Sequence, residues 1–439
     1  MKTFTKKTPE CAANNVGKSI LLLLLFIPFL FSACDDQRVQ TIKWTELEPV
    51  YMTPDEFKKS VAMETSRALE KPGKIYFYNN YLFVNEINKG VHIVDNSNPA
   101  APSNIGFINI PANKDIAVKG DLLYADSHSD FLVFNIENMQ NPELINRIEN
   151  VFESSVSIQR GFPYQEVDAS QGIVVDWKEV EIEEVCEDDC SFNQPTRGWG
   201  WETAISTSGS PSMQSDGVAT TGGTGGSMAR FAIKGDYLYA VDHRNLLTFD
   251  ISSPTPTEGN KRDVGWAIET IFPYQQNLFI GSESAMYIYD ISDPAFPTQI
   301  SVYNHFTACD PVVVEGNFAY VTLREGARCP QQGVNRLEVI DVEDPVYPKE
   351  VASYEMLNPH GLGIDGDYLF ISEGEKGLKI LDATDPYEIT QLRHIEDIRT
   401  FDVIPFNNVL MITGETGIVQ YDYSDINNVE HLSTIPVKE

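Results

Sequence analysis

The 439 residues are 42% hydrophobic and 11% aromatic, the composition of a folding chain and not of a disordered one. The formal net charge of -32 argues against a nucleic-acid partner, which needs a basic footprint, and against docking on anionic lipid through protein charge. Such charge suits a soluble, self-repelling surface.

At the N-terminus Lys2, Lys6, Lys7 and Lys18 precede an apolar run from Ile20 to Phe31. The run is too short for a comfortable membrane span and has the length of a signal-peptide core. It ends in Phe31-Ser32-Ala33-Cys34. Small residues before a Cys resemble a bacterial lipoprotein cleavage box, with Phe31 where Leu is usual. The resemblance implies that residues 1–33 are removed and that Cys34 becomes the lipidated first residue, several acyl chains giving a stable anchor. The following "CDDQ" resembles the surface-export signals of Bacteroidetes lipoproteins. The expected location is an exported, membrane-anchored one, at the outer membrane or cell surface. Residues 34–72 read as a tether with one short helix, "TPDEFKKS", in which Thr53 caps, Pro54 takes the first turn and acids follow.

From Tyr81 onward one pattern recurs seven times: a hydrophobic run, a polar loop, and a second run closing on Asp or Asn. The closing residues are Asp95, Asn135, Asp250, Asp290, Asp341, Asp382 and Asp422. They are spaced by about 40, apart from one large and one small insertion. A period near 40 made of several short strands is the mark of a propeller and not of a helical solenoid. Each unit divides into strands A to D, shown in the third copy by "ARFAIK", "YLYAVD", "LLTFDIS" and "NKRDVGW". Gly-Asp at 235–236 and 366–367 and Asn-Asn at 79–80 and 407–408 suit tight A–B turns. Asp-Pro at 293–294, 344–345 and 385–386 ends strand C, and those acids read as turn residues. The expected fold is all-β: a seven-bladed propeller of four-stranded blades over residues 73–437, with a loop-rich insertion over 152–228 between blades 2 and 3.

Cores such as "GVHIVDNSNP" and "GLKILDATDP" resemble the LVIVD-repeat family of bacterial propeller lipoproteins. The resemblance implies a fold and a location, and no reaction.

In a propeller the D–A and B–C loops share one rim and the A–B and C–D loops the other. The large insertion is a D–A connection, and the small one, "EGARCPQQGVNR", is the B–C loop of copy five. Embellishment on one rim of a uniform scaffold is where binding is expected. Within the large insertion "GIVVDWKEVEIEEV" alternates like one or two strands, and "GGTGGS" lacks the Lys-Ser/Thr of a phosphate loop and reads as linker. Cys186, Cys190, Cys309 and Cys329 are an even number in an exported chain. The pairing 186–190 with 309–329 fits the topology. Trp199 and Trp201 in "RGWGWE" either stack on sugar rings or cap the blade beneath.

The starts of the A strands ring the channel and bring Lys74, Lys114, Asp115, Arg230, Glu269, Asp310, His360 and Asp402 toward one axis. Mixed charges there either grip a polar ligand or pair with one another and with channel water. His128 and His243 occupy equivalent B–C positions. No H-E-x-x-H, G-x-S-x-G or Cys-x-x-Cys is present, and no catalytic residue, metal site or cofactor is assigned. The expected function is a monomeric cell-surface binding module for a glycan, peptide or protein, held to the membrane through Cys34. The alternative is a polysaccharide hydrolase or lyase working around His360, Glu269 and Asp310.

Overall fold

The computed structural model describes residues 39–153, 156, 163–187, 224–225, 227, 229–265, 267–305, 311–324 and 335–438. These divide into two units. The larger contains seven four-stranded antiparallel sheets arranged as a propeller, covering 72–109, 116–148, 231–263, 268–304, 312–355, 362–395 and 400–436. Each blade is one contiguous stretch of chain. Blade 3 shows the plan: A, Phe231–Lys234; B, Tyr237–Val241; C, Asn245–Asp250; D, Thr257–Asp263. The expected all-β, seven-bladed architecture is what the chain adopts.

The A, B and C strands are mostly buried on both faces because blades pack on either side, whereas the D strands are mostly exposed or half-buried, apart from buried Gly106, Phe107 and Ile108 in blade 1. All seven C–D pairings carry a register shift in mid-strand. A bulge at that place increases twist, so the outer strand of every blade turns away from its neighbours. Between blades 2 and 3 the core is aromatic. Phe131 stacks on Phe249 at 4.5 Å and meets Phe231 edge-on at 5.9 Å, while Phe152, the first residue of the insertion, lies 5.6 Å from Phe231.

The first residue of every A–B turn is left-handed: Asn79, Gly120, Gly235, Gln275, Gly316, Gly366 and Asn407 have φ between 48° and 59°. A side chain on Gly235 would meet nothing within 4 Å, so backbone conformation and not space selects glycine there. The acidic C–D turns are turns in fact. Asp290 Oδ1 accepts from the Ser292 amide (2.8 Å) and Asp385 Oδ1 from the Tyr387 amide (2.9 Å).

The ring closes by packing and not by strand exchange. Phe77 of blade 1 lies 4.9 Å from Phe406 of blade 7. The Asn96 and Gln420 side-chain amides bond each other both ways, at 2.9 and 2.8 Å, and the Lys438 amide donates to the Leu69 carbonyl at 2.6 Å.

The helix Pro54–Lys59 forms where the sequence places it, with a capping box between Thr53 and Glu56 and Phe57 buried. Phe57 packs with Ala112, Val156, Val174 and Val175, so the root of the insertion sits on the D–A loop between blades 1 and 2. Residues 39–52, read from sequence as tether, are a strand, and Ile173–Glu187 is its single partner strand in a two-stranded sheet. The smaller unit holds residues 39–48, 163–166 and 178–187 of the described chain. It is fastened by Lys43–Glu183 and Lys178–Glu48 ion pairs, both 2.8 Å, and by backbone bonds of Leu47 to Pro163 and Gln165. The short strand Ala62–Glu64 pairs with strand D of blade 1.

Candidate functional site

The D–A/B–C rim is organised by carboxylates that close strand B. Asp126 Oδ1 accepts from the amides of Lys114 (2.8 Å) and Asp115 (2.9 Å) and from Asn113 Nδ2 (2.8 Å). Glu373 Oε2 accepts from the Leu357 (2.9 Å) and Asn358 (2.5 Å) amides, and Glu86 from Glu70 (3.0 Å) and Lys71. Asp242 accepts from the Arg244 and Asn245 amides of its own loop, at 2.9 and 2.7 Å, and from the Glu153 amide at 3.4 Å. All four side chains are buried, and each ties an irregular loop to a regular blade. Burial pushes the Asp126 carboxyl up, against the pull of the two amides. Burial also opposes the charged form of Glu86, but bonds from His92 and the two amides outweigh it and hold that carboxyl low. These residues were missed in the sequence; their signal is an acid at the end of the B run, in "VNE", "YAD", "AVD" and "ISE".

Of the expected channel residues, Lys74 and Asp115 come together. Lys74 Nζ lies 2.9 Å from Asp115 Oδ2, with the side chains 13% and 4% exposed. Asp115 also accepts from the amides of Ile116 (2.8 Å), Phe231 (3.2 Å) and Arg230. One carboxylate therefore joins blades 1, 2 and 3. Burial lowers the Lys74 ammonium, and Asp115 counteracts it. Lys114, Asp115 and Arg230 line a pocket between blades 2 and 3, with Asp126, His128, Glu153 and Asp242 around them and Phe152 and Phe231 among its apolar walls. It is a shallow recess open to solvent. Both charge signs face this space at the foot of the insertion.

His360 stands apart from that pocket, at the start of blade 6. Its ring lies 5.7 Å from Phe401, its amide donates to the Ser372 carbonyl at 2.7 Å, and Thr322 Oγ1 donates to its carbonyl at 2.7 Å. Burial, helped by the charge of Arg324, pushes its imidazole down to about 3. Glu269 and Asp402 are buried at the starts of blades 4 and 7. Gly361 leaves the room that Asp402 fills, since a side chain there would lie 2.3 Å from Asp402 Oδ1. His128 and His243 are both lowered mainly by burial, and His128 lies 6.2 Å from Phe57. Asp310, Trp199, Trp201, Cys34, Cys190, Cys309 and Cys329 lie outside the described residues, as does the side chain of Cys186. Among the described residues no group of three or more His, Cys, Asp or Glu side chains is placed to hold a metal.

The end of the insertion enters the channel. Thr224 and Gly225 pair antiparallel with Phe77 and Tyr76 on strand A of blade 1, adding a strand to its inner edge. Two residues on, Ser227 is 1% exposed, and its Oγ accepts from the Leu362 amide of blade 6 at 3.2 Å. The sequence assigned this span to a linker on one rim. Main-chain bonding explains the difference, because a strand edge accepts any extended segment, Gly-rich or not.

No curated protein sequence matches the chain significantly. Among solved structures, a protein from Lactobacillus plantarum superposes with a TM-score of 0.52 at 12% identity, over 84% of this chain and 97% of that one. BamB from Moraxella catarrhalis superposes with a TM-score of 0.45 at 8% identity, over 87% and 97%. The computationally designed Ika8 protein gives 0.47 at 7%, over 85% and 92%. The LVIVD repeat matches residues 73–109, 225–258, 307–356 and 360–390. LVIVD repeats, a β-propeller repeat family, are thus present in four regions of this chain.

Proposed function

We propose that the chain is an exported, lipid-anchored binding module that takes a glycan, peptide or protein ligand on its D–A/B–C rim. The observation that carries this is the pocket between blades 2 and 3, where Lys114 and Arg230 face Asp126 and Glu153 at the root of the insertion. Groups of both signs in one recess suit a ligand rich in polar and charged groups. Glycoside hydrolysis needs two carboxyl groups able to exchange protons and bond the reacting sugar. Asp115, Asp126 and Glu373 are instead engaged with backbone amides, and the channel receives the chain's own residues 224–227. Both features favour binding over catalysis. The apolar run before Cys34 supports export and anchoring.

The test is a glycan and peptide array probed with the chain lacking residues 1–34, followed by Arg230→Glu and, on the opposite rim, Gln275→Gly. Arg230→Glu should weaken the best ligand about tenfold, the effect of one desolvated charge contact, and Gln275→Gly should leave it unchanged. The reverse result assigns the ligand to the other rim. For the anchor, Cys34→Ala in the full chain should leave the membrane fraction; retention there, with no palmitate label on the wild type, removes the lipoprotein reading.

A further inference from the structure

The A–B/C–D rim, though built from short turns, carries an arc of exposed aromatic rings on three consecutive blades. Phe296 is 61% exposed, Tyr347 77% and Tyr387 59%. They stand in the C–D turns of blades 4, 5 and 6, within "DPAFP", "DPVYP" and "DPYEI". Phe296 and Tyr347 follow the turn Asp by three residues and Tyr387 follows it by two. At the Phe296 position blades 1, 2 and 7 have Ala101, Asn141 and Asn428, so the arc is not a requirement of the turn.

These turns are rigid. The amides of Phe296 and Tyr347 return to the carbonyls of Asp293 and Asp344 at 3.1 and 2.9 Å. The Pro294 carbonyl accepts from Tyr239 Oη at 3.0 Å and the Pro345 carbonyl from Ser301 Oγ at 2.6 Å, each donor lying on the preceding blade. The Tyr387 ring stands edge-on to Phe318 at 5.7 Å. Aromatic side chains fixed in solvent lose little entropy when a partner covers them.

The surrounding charge selects the partner. The three turns, 290–297, 341–349 and 382–389, contain eight carboxylates and one lysine. Asp293, Glu343, Asp344, Asp385 and Glu388 among them are exposed. We propose that this arc is a second docking surface and that its partner is a basic polypeptide segment. Arginine or lysine side chains of the partner lie over the Phe296, Tyr347 and Tyr387 rings, and the flanking carboxylates take their charge. A ring face attracts a cation through its quadrupole, and the carboxylates add long-range attraction. A second copy of this chain, itself at -32, is repelled from the arc, as is an anionic membrane.

The probe is labelled nona-arginine, with a Gly/Ser nonapeptide as blank, titrated against the full chain in detergent. Phe296→Ala/Tyr347→Ala/Tyr387→Ala keeps every carboxylate and costs only the edge contact of Tyr387 with Phe318, so the variant should stay folded and melt within a few degrees of the parent. Affinity for nona-arginine should fall about tenfold, as expected for three surface cation–π contacts. A charge control, Asp55→Asn/Glu64→Gln/Glu166→Gln, removes three exposed acids elsewhere and should change it less than about twofold, screened as distant surface charges are. Unchanged affinity in the aromatic variant overturns the proposal. So does an equal loss in the charge control, which would make the binding a bulk effect. Two further results would reassign the arc and overturn it: loss of binding to phosphatidylcholine vesicles with nona-arginine binding intact, or conversion of a wild-type dimer to monomer.

Discussion

On the A–B/C–D rim all seven A–B turns repeat one left-handed residue, and the C–D turns repeat one Asx geometry. On the D–A/B–C rim blade 1 is tied by a Glu–His pair, Glu86–His92 at 3.0 Å, and blade 6 by Glu373–Lys379 at 2.7 Å. Blades 1 to 3 share Asp115. The two rims come from the same repeat, and the contrast shows where repetition is enforced. A turn that only reverses the chain has one local solution, so it recurs. A loop that crosses between blades must bury its amides against whatever lies beside it, so the acceptor differs from blade to blade: Glu86, Asp126, Asp242 and Glu373 in four of them and the Ser282 hydroxyl in another. Individual side chains are free to specialise there. The other rim can vary only in what its fixed turns hold out to solvent, as Phe296, Tyr347 and Tyr387 do.

If crossing loops depend on single buried acids, removing one should cost far more than any turn substitution. Asp115→Ala strands the buried Lys74 ammonium and three backbone amides, and should destabilise the propeller by about 3–5 kcal/mol, the usual cost of breaking a buried pair from one side. Lys74→Met leaves Asp115 its three amides and should cost less than half as much. Urea titration of both variants checks this. Equal losses would mean that the ion pair, and not the amide bonding, holds the junction.

A smaller effect separates the rims by pH. His360 is pushed down to about 3, and His128 and His243 are also lowered; all three lie on the D–A/B–C rim. Unfolded histidine titrates near 6.5, so between pH 6.5 and about 3 the unfolded chain binds more protons at His360 than the native one. Stability should therefore be full above pH 6.5 and fall as pH decreases through this window, by at most about 1.4 kcal/mol per pH unit for each histidine. His360→Asn should flatten the slope. A wild-type slope of zero there, measured by denaturant unfolding at several pH values, would show that these imidazoles accept protons in the native state.

The blades were legible in the sequence because strands B and C carry their own evidence: alternation such as Leu378 and Ile380, a closing Asp, and a turn residue before each B run. Local patterning also showed Thr53 as the cap of the short helix, though not its reciprocal bond with Glu56. The candidate site was legible only in part. Lys74, Asp115 and Arg230 were placed on the channel by counting back from the A–B turn, but nothing local says that Asp115 reaches both neighbouring blades. Asp126 and Glu373 carry no local signal of their role, since the amides they accept from lie 11 to 16 residues away in the chain. Residues 39–52 read as tether because their partner strand, Ile173–Glu187, lies more than 120 residues on. Gly225 read as linker because the strand edge it joins, at Tyr76, belongs to blade 1.

On the proposed function the insertion serves recognition on one rim, while its last residues belong to the ring. Two deletions measured side by side, by thermal melting and by binding to the array ligand, test it most directly. Removing 190–220 takes Trp199 and Trp201 and spares Thr224, Gly225 and Ser227; it should melt like the parent and bind about tenfold more weakly or worse, as losing aromatic anchors does. Removing 190–225 should bind as poorly and also lose about 1–3 kcal/mol, the worth of two backbone pairings. Identical melting of both deletions and the parent would contradict the channel strand. Undiminished binding by the shorter deletion would contradict the insertion's part in recognition.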